Sequence, residues 1–382
     1  MLWAKLIFWC SLIALFYVYA GYPLLLSLIA VLRSRNNSCD PGYTPDVSFL
    51  IAACNEEGSI RQKLEQTLRL EYPPEKLEVL VLSDGSQDRT DEIVKKFDDP
   101  RVRLIRIPQR RGKTNAQNVG VQHARGEILI FSDATTVFHP RALMNLVSNY
   151  QDPQIGAVSG RYQYFDPEGD SPTGTGKVTF WNYENYIKAQ QSKIHTITGC
   201  CGCIYSVRRS AYTELAPDVI SDLVQPLWAI QKGYRVAFEQ RALAYEETTQ
   251  STSEEFSMRV RVITRGMLGL LSVPGLFTSW KYAWVIFQLV SHKVLRWCVP
   301  IFLVLLFFSN AMLLGETLWR LVFLAQTVFY VAALLQVVVP LHRRWKVLGI
   351  PLYFCTLNAA ACLSMIALLR GKKYVVWQPV RR

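Results

Sequence analysis

The sequence predicts an α/β domain on a mostly parallel, doubly covered sheet, held between apolar helices long enough to cross a bilayer. Three observations predict it. Half of the 382 residues are apolar, and they gather in a run at 6–32 and in three more at 298–314, 318–341 and 347–369. Each run is close to or above the roughly 18 residues that a membrane span requires. Between them, short apolar strands alternate with helical patterns, the rhythm of βαβ units. Acids, an amide and glycines stand at the strands' carboxyl ends, where open α/β sheets bind ligands.

The elements follow in order. In residues 1–34, Lys5 ahead of apolar sequence and the small residues of "YVYAG" imitate a secretory signal. Apolar sequence continues through "PLLLSLIAVL" to Arg33, well past the roughly 7–15 residues of a signal core, so an uncleaved membrane anchor is expected. "RNNSCDPGYTP" (35–45) is a linker into a domain spanning 45–253. Strands are expected at "VSFLIAAC" (47–54), "LEVLVLSD" (77–84), "RVRLIRI" (101–107) and "EILIFSD" (127–133), with helices near 58–70, 88–98 and 113–124. In "DGSQDRT", Asp84 closes a strand, Gly85 permits a sharp turn and Asp88 is expected to cap the next helix.

Beyond residue 155 the rhythm loosens. An aromatic-rich helix is expected at 177–193, where rings at helical spacing read as core. "ITGCCGCIYSVRR" follows, then a helix with Asp222 near its N-terminus. From that segment alone Asp222 is equally a cap or a functional acid. Residues 254–297 set arginines beside apolar faces with Trp and Tyr, as in amphipathic helices lying in the membrane interface. Three C-terminal spans (298–370) and a basic tail (371–382) complete the chain.

The net charge of +12 raises nucleic acid as a partner, but no recognition helix, zinc spacing or aromatic ribonucleoprotein motif accompanies it. The excess flanks the apolar runs instead, at Arg33, Arg35, Lys293, Arg296 and "HRRWK" (342–346), which fits the basic enrichment of cytoplasmic flanks. Of the nine cysteines, Cys10, Cys355 and Cys362 lie in apolar runs, Cys298 borders one and Cys54 ends a strand. Cys200, Cys201 and Cys203 lack paired CxxC spacing and read as small buried side chains. A reducing, cytosol-facing domain is expected. One span before it and three after would leave "RGKKYVVWQPVRR" outside, against its basic charge, unless a further membrane element lies between 267 and 291.

"IAACNEEGSI", "LSDGSQDRTDEI", "RRGKTNAQNVG", "ARGEILIFSDA", "GCIYSVRR" and "SDLVQPLWAIQKGYRVAFEQRALAYEE" stand in an order and spacing that resembles the membrane-embedded family-2 inverting glycosyltransferases, which include cellulose, hyaluronan and poly-N-acetylglucosamine synthases. The resemblance implies a Rossmann-like GT-A glycosyltransferase domain flanked by transmembrane helices. It implies a nucleotide-sugar donor, usually a uridine one, with a divalent metal (Mg or Mn) bridging its phosphates. By position, Ala53, Asn55 and Glu56 would border the nucleoside, Asp84 would contact base or ribose, Lys113 would lie near the diphosphate, and Asp133 would orient the donor and hold the metal. Asp222 matches the general base. The implied acceptor is a growing glycan or a lipid-linked sugar at the inner membrane, with membrane lipid and subunits of a synthase or export complex as further partners.

The chemistry requires these residue types. A leaving nucleoside diphosphate gathers negative charge, which cations neutralise. An attacking hydroxyl loses its proton, which a carboxylate takes. Two departures stand out. Thr135 replaces the second acid or amide of the Asp133 segment, a poorer ligand for a hard cation. On the interface helix, a Gln-x-x-Arg-Trp motif is reduced to Met258, Arg261 and Val262, with Arg265 as a shifted alternative. Arg261 would approach the diphosphate. Polymerisation is thus less firmly implied than transfer, and no span carries the ionisable residues of a transport path.

Overall fold

The computed structural model describes residues 1–35, 39–165, 174–247, 252–339 and 349–375. Helices α1 (Leu2–Phe16) and α2 (Tyr22–Leu32) join through one wide turn into a single apolar rod of 31 residues. Then β1 (Val47–Ala53), α3 (Ile60–Leu68), β2 (Leu77–Asp84), α4 (Thr90–Lys95), β3 (Val102–Ile107), α5 (Lys113–His123) and β4 (Ile128–Asp133) follow the expected rhythm. These four strands lie in the order β3-β2-β1-β4, all parallel. Both faces are covered, so β1 is buried along its whole length. Its alternate residues divide between two cores: Phe49 and Ile51 pack in one with Ile60 and Leu64, and Leu50 in the other with Ala116.

The loosened rhythm after residue 155 has a topological cause, because the sheet turns mixed. Next come β5 (Val137–Phe138), α6 (Ala142–Val147), β6 (Ile155–Phe165), α7 (Gly174–Ile194), β7 (Ile204–Arg208), α8 (Ser221–Gln231) and β8 (Arg235–Glu247). The complete order is β3-β2-β1-β4-β7-β6-β8-β5. β7 runs antiparallel to both β4 and β6, so its N-terminal end, and the loop ahead of it, meet the carboxyl end of β4. That reversal carries Gly199–Cys203 to the strand exits.

The remaining helices are α9 (Thr252–Leu271), α10 (Ala283–Leu289), α11 (Leu295–Trp297), α12 (Val299–Ala311), α13 (Thr317–Val338) and α14 (Gly349–Leu369). α1 packs along α12, and Lys5 pairs with Glu316 ahead of α13 at 3.0 Å. The segment Trp280–Trp297 meets α12 at a bend of 54°. Phe16, Leu28, Phe308, Leu321 and Val328 stand exposed on this assembly, an apolar belt of the kind a lipid environment covers. α14 is long and apolar enough to cross a membrane, yet it packs along α9. Ser364 donates to the Val260 carbonyl at 3.1 Å, and Arg259 donates to the Tyr353 hydroxyl at 2.8 Å. The chain beyond α14 returns to the sheet domain: Lys373 pairs with Asp218 at 2.7 Å, and the Val375 carbonyl abuts Gly112.

One buried cluster joins these parts. Glu255 of α9 meets Lys177 of α7 at 3.1 Å and Arg259 at 2.8 Å, with both acid and lysine almost wholly excluded from water. Burial alone would raise the Glu255 pKa, but Arg259 and Lys177 hold it down at about 2. The cluster therefore stabilises the fold above the ordinary glutamate pKa, and the contribution is lost as pH falls towards 2. Glu255→Gln leaves buried cations facing an amide and is expected to lower the unfolding free energy by about 3–5 kcal/mol at neutral pH. Denaturant unfolding in detergent measures it, and a loss under about 1 kcal/mol would show the cluster to be dispensable.

Candidate active site

The strand exits are tied to one another before any ligand is considered. Ala53 ends β1 fully buried, and Asn55 turns the chain with φ of 57°, a left-handed conformation that Asn tolerates. Its N–H donates to Ser86 Oγ at 3.2 Å, and its Oδ1 accepts the Gln87 N–H at 2.8 Å. Glu56 N–H donates to Thr90 Oγ1 at 2.8 Å, while its carboxylate accepts from Ser59 at 2.6 Å. Asp88 stands one residue ahead of the α4 N-cap, Arg89, and not at the cap expected for it; it accepts the Thr90 N–H at 3.0 Å in a local turn and also takes the Glu57 N–H at 2.9 Å. Burial would raise its pKa, but these bonds and that of the Thr90 hydroxyl hold it below the usual carboxylate range. Ala53, Asn55 and Glu56 thus form one rim of a cleft. Asp84 forms its floor, with its two oxygens accepting the N–H groups of Arg111 at 2.8 Å and Gly112 at 2.7 Å.

Two guanidinium groups near these exits, those of Arg110 and Arg261, form no ion pair among the described residues. Arg110 has Nε and Nη2 buried without a hydrogen-bond partner among the described residues. Burial first, and then the charge of Arg110, lowers the pKa of Arg261. Two adjacent cations of this kind favour an anion between them. Arg265 does something else. Its Nη2 donates to Thr114 Oγ1 at 2.9 Å and to the carbonyls of Pro217 at 3.1 Å and Val219 at 2.5 Å, bracing the approach to α8. Of the two arginines expected as alternatives, Arg261 faces the other cation and Arg265 is a clamp. Arg110 was not expected, although "RRGK" carries it.

The acids converge through Lys113. Its ammonium forms an ion pair with Asp133 and donates to the Gly202 carbonyl at 3.0 Å. Burial alone would lower its pKa, but the Asp133 carboxylate overrides this and holds it above the ordinary lysine value. On the far side of Gly202 lies Asp222, and a Cβ added at Gly202 would stand 2.7 Å from Asp222 Oδ2. Asp222 does not cap α8 in the usual sense. The N-cap position belongs to Ile220, and Asp222 Oδ1 is buried without a hydrogen-bond partner among the described residues. Burial raises the Asp222 pKa, against the pull of Lys113, Lys188, Lys293 and Arg265. Gly202 went unremarked in the sequence because "GCCGC" drew attention to its cysteines. Those are free and buried, as expected.

Thr135 turns its hydroxyl to a carboxylate, donating to Glu246 Oε1 at 3.1 Å. Beneath this turn Lys63 is buried, donating to Ser132 Oγ at 2.7 Å and to the Thr136 carbonyl at 2.6 Å. Burial lowers its pKa to about 7, against Asp133, Cys203 and Glu246. The described residues hold no group of three His, Cys, Asp or Glu placed to bind a metal. Asp133 nevertheless fits a hard cation. Its Oδ1 is buried against the Lys113 ammonium, with the charge of Lys63 also near, and a carboxylate oxygen is the donor type a hard cation takes.

Residues 48–216 match the family described as glycosyl transferase family 2. Curated relatives include poly-beta-1,6-N-acetyl-D-glucosamine synthases of Staphylococcus epidermidis, 28% identical over 224 residues, and of Staphylococcus aureus strain MSSA476, 26% identical over 224 residues. Each alignment covers 56% of this chain and 53% of the relative, so the chain spans about half the length of the curated relatives it matches. Among solved structures, a mannosyltransferase from Pyrobaculum calidifontis, in complex with GDP-Man and Mn2+, is similar at a TM-score of 0.75 and 21% identity. That match covers 97% of this chain and 99% of the other, a likeness of fold. Family match and fold agree with the expectation from the sequence: residues 48–216 form a domain matching glycosyl transferase family 2, on a fold of the GT-A type.

Proposed function

We propose that the protein is an integral membrane, metal-dependent inverting glycosyltransferase that moves a sugar from a nucleotide sugar, first of all a uridine one, to a growing envelope or extracellular glycan through a β-linkage. The observation that carries the reading is Asp222, whose Oδ1 is buried without a hydrogen-bond partner among the described residues, linked through Gly202 and Lys113 to Asp133. Asp84 and the rim of Ala53, Asn55 and Glu56 receive the nucleoside. Arg110, Lys113 and Arg261 offset the charge that gathers on the leaving diphosphate. A divalent ion, when bound by Asp133, supplies further neutralisation of that charge. Asp222 takes the proton of the acceptor hydroxyl, and the carboxyl pKa raised by burial makes it a stronger base than a solvated aspartate. A single displacement inverts the anomeric centre.

A second reading, one sugar transferred to a membrane lipid, has its own support. Trp181 packs edge-on against Tyr162 at 5.2 Å between ring centroids and joins the core, which weakens it as a platform for a polymer. Met258 and Val262 stand where the polymerases carry Gln and Trp. The mannosyltransferase of similar fold was solved with GDP-Man, so guanosine donors belong in the assay beside uridine ones. Intact Asp133 and Asp222 argue against a non-catalytic subunit.

For orientation, we infer three crossings, by α1–α2, α12 and α13, with α14 lying in the interface on the side of the sheet domain. The contacts of Lys373 and Val375 with that domain support this count. It leaves the basic tail cytosolic, in accord with its charge.

Four outcomes are expected. Purified protein given labelled UDP- and GDP-sugars transfers one of them to polymer or lipid, and Asp222→Asn lowers that transfer by roughly 100-fold or more while donor binding by calorimetry is kept. The parent's rate falls on the acid side with an inflection above the roughly 3.9 of a free aspartate; near-normal transfer by Asp222→Asn removes it from the mechanism. Gly202→Ala presses a methyl group on Asp222 and is expected to cost about 10-fold or more in kcat with donor KM little changed. A protease-cleavable tag after Arg382 is expected to be cut in sealed vesicles only from the side exposing the sheet domain, and cleavage from the opposite side would require a fourth crossing.

A further inference from the structure

The acid missing at position 135 is present nearby in space. β5 pairs antiparallel with β8, Val137 opposite Tyr245 and Phe138 opposite Ala244. This register carries Glu246 back alongside the turn that follows Asp133. Its Oε1 accepts from Thr135 Oγ1 at 3.1 Å, and its Oε2 accepts from the Tyr162 hydroxyl. The buried ammonium of Lys63 feels both Asp133 and Glu246, so the two carboxylates flank one small region beside the β4 exit. A glutamate reached through a threonine hydroxyl fills the space that a longer acidic side chain at 135 would enter.

We propose that Glu246 is the second carboxylate of the cation site, and that Asp133 and Glu246 together hold the divalent ion which meets the donor diphosphate. The proposal rests on the glycosyltransferase reading. Thr135 then leaves the ligand set and becomes an orienting group. With Tyr162 it fixes the Glu246 carboxylate by hydrogen bonds, as outer-shell donors commonly do for ligating acids. Two carboxylates brought to one ion repel each other in its absence, and the lysines at positions 63 and 113 lie where they offset that repulsion until the ion arrives. Two hard oxygen donors leave room for phosphate oxygens and water in an octahedral shell.

Mn2+ binding to the detergent-purified full chain, followed by the paramagnetic resonance of free Mn2+ with UDP and with GDP present, tests this without an activity readout. Glu246→Gln is expected to weaken Mn2+ binding about 10-fold or more, while Thr135→Val weakens it less. Thr135→Asp places a carboxylate in the same space, so in the Glu246→Gln background it is expected to recover most of the lost affinity. If Glu246→Gln does not fold, Thr135→Asp alone decides: tighter Mn2+ binding supports a shared site, and unchanged or weaker binding overturns it. Unaltered Mn2+ affinity in a folded Glu246→Gln, or a parent that binds no Mn2+ with either nucleotide, also overturns the proposal. A parent that binds Mn2+ through Glu246 yet transfers no sugar refutes the enzymatic reading and leaves the site intact.

Discussion

The ammonium of Lys113 is the contact on which the site depends. It stands at the first turn of α5, pairs with Asp133 at the end of β4 and bonds the Gly202 carbonyl ahead of β7. Gly202 in turn presses on Asp222 at the start of α8. Four elements from a long stretch of chain are therefore fixed relative to one buried charge. Such a cation is tolerable only because a carboxylate lies against it. The parallel half of the sheet supplies Asp133 and Lys113, and the mixed half supplies Gly202 and Asp222. Without the antiparallel turn of β7, the two halves would present their acids at opposite edges.

A similar logic fastens this domain to the helices of the apolar belt. Glu184 of α7 meets His292 at 3.1 Å and Lys293 at 3.2 Å, and it also pairs with Arg296. Burial alone would raise the Glu184 pKa, but the surrounding cations hold it well below the usual range. Glu255 does the same for α7 and α9. Glu184 lies midway along α7 and Glu255 in the first turn of α9. Basic residues read from the sequence as flanking charge are therefore also internal partners, and positive-flank arguments count them twice.

Much of this was legible in the sequence, for physical reasons. β1 to β4 declare themselves as continuous apolar runs because both faces are covered, and Asp84, Asp133 and Asp222 stand at strand or helix ends where the chain must change direction. β5 to β8 were not seen as a sheet, since pairing between strands far apart in sequence leaves no local period. Arg110 and Gly202 were overlooked because their roles depend on neighbours that only tertiary structure supplies. Glu246, within "ALAYEE", carries no local signal, because strand pairing, not spacing along the chain, brings it to Thr135. Under the proposed three crossings the conflict over the basic tail disappears, because α14 is then not counted as one. Length and composition are the same for a span and for a helix laid on the protein, and the contacts of α14 with α9 are what support the second reading.

Buried polar atoms with and without partners occur throughout the chain, and the candidate site holds both kinds. Lys63, Glu184 and Glu255 are buried charges with partners, and they hold structure together. Asp222 Oδ1, Arg110 Nε and Arg265 Nε are buried without hydrogen-bond partners among the described residues. Leaving such an atom bare costs about 1–3 kcal/mol, which a ligand that bonds it returns in part. A donor diphosphate between Arg110 and Arg261 and an acceptor hydroxyl on Asp222 would satisfy the set. The cleft is thus least stable when empty, and binding returns part of that cost in orienting the two substrates.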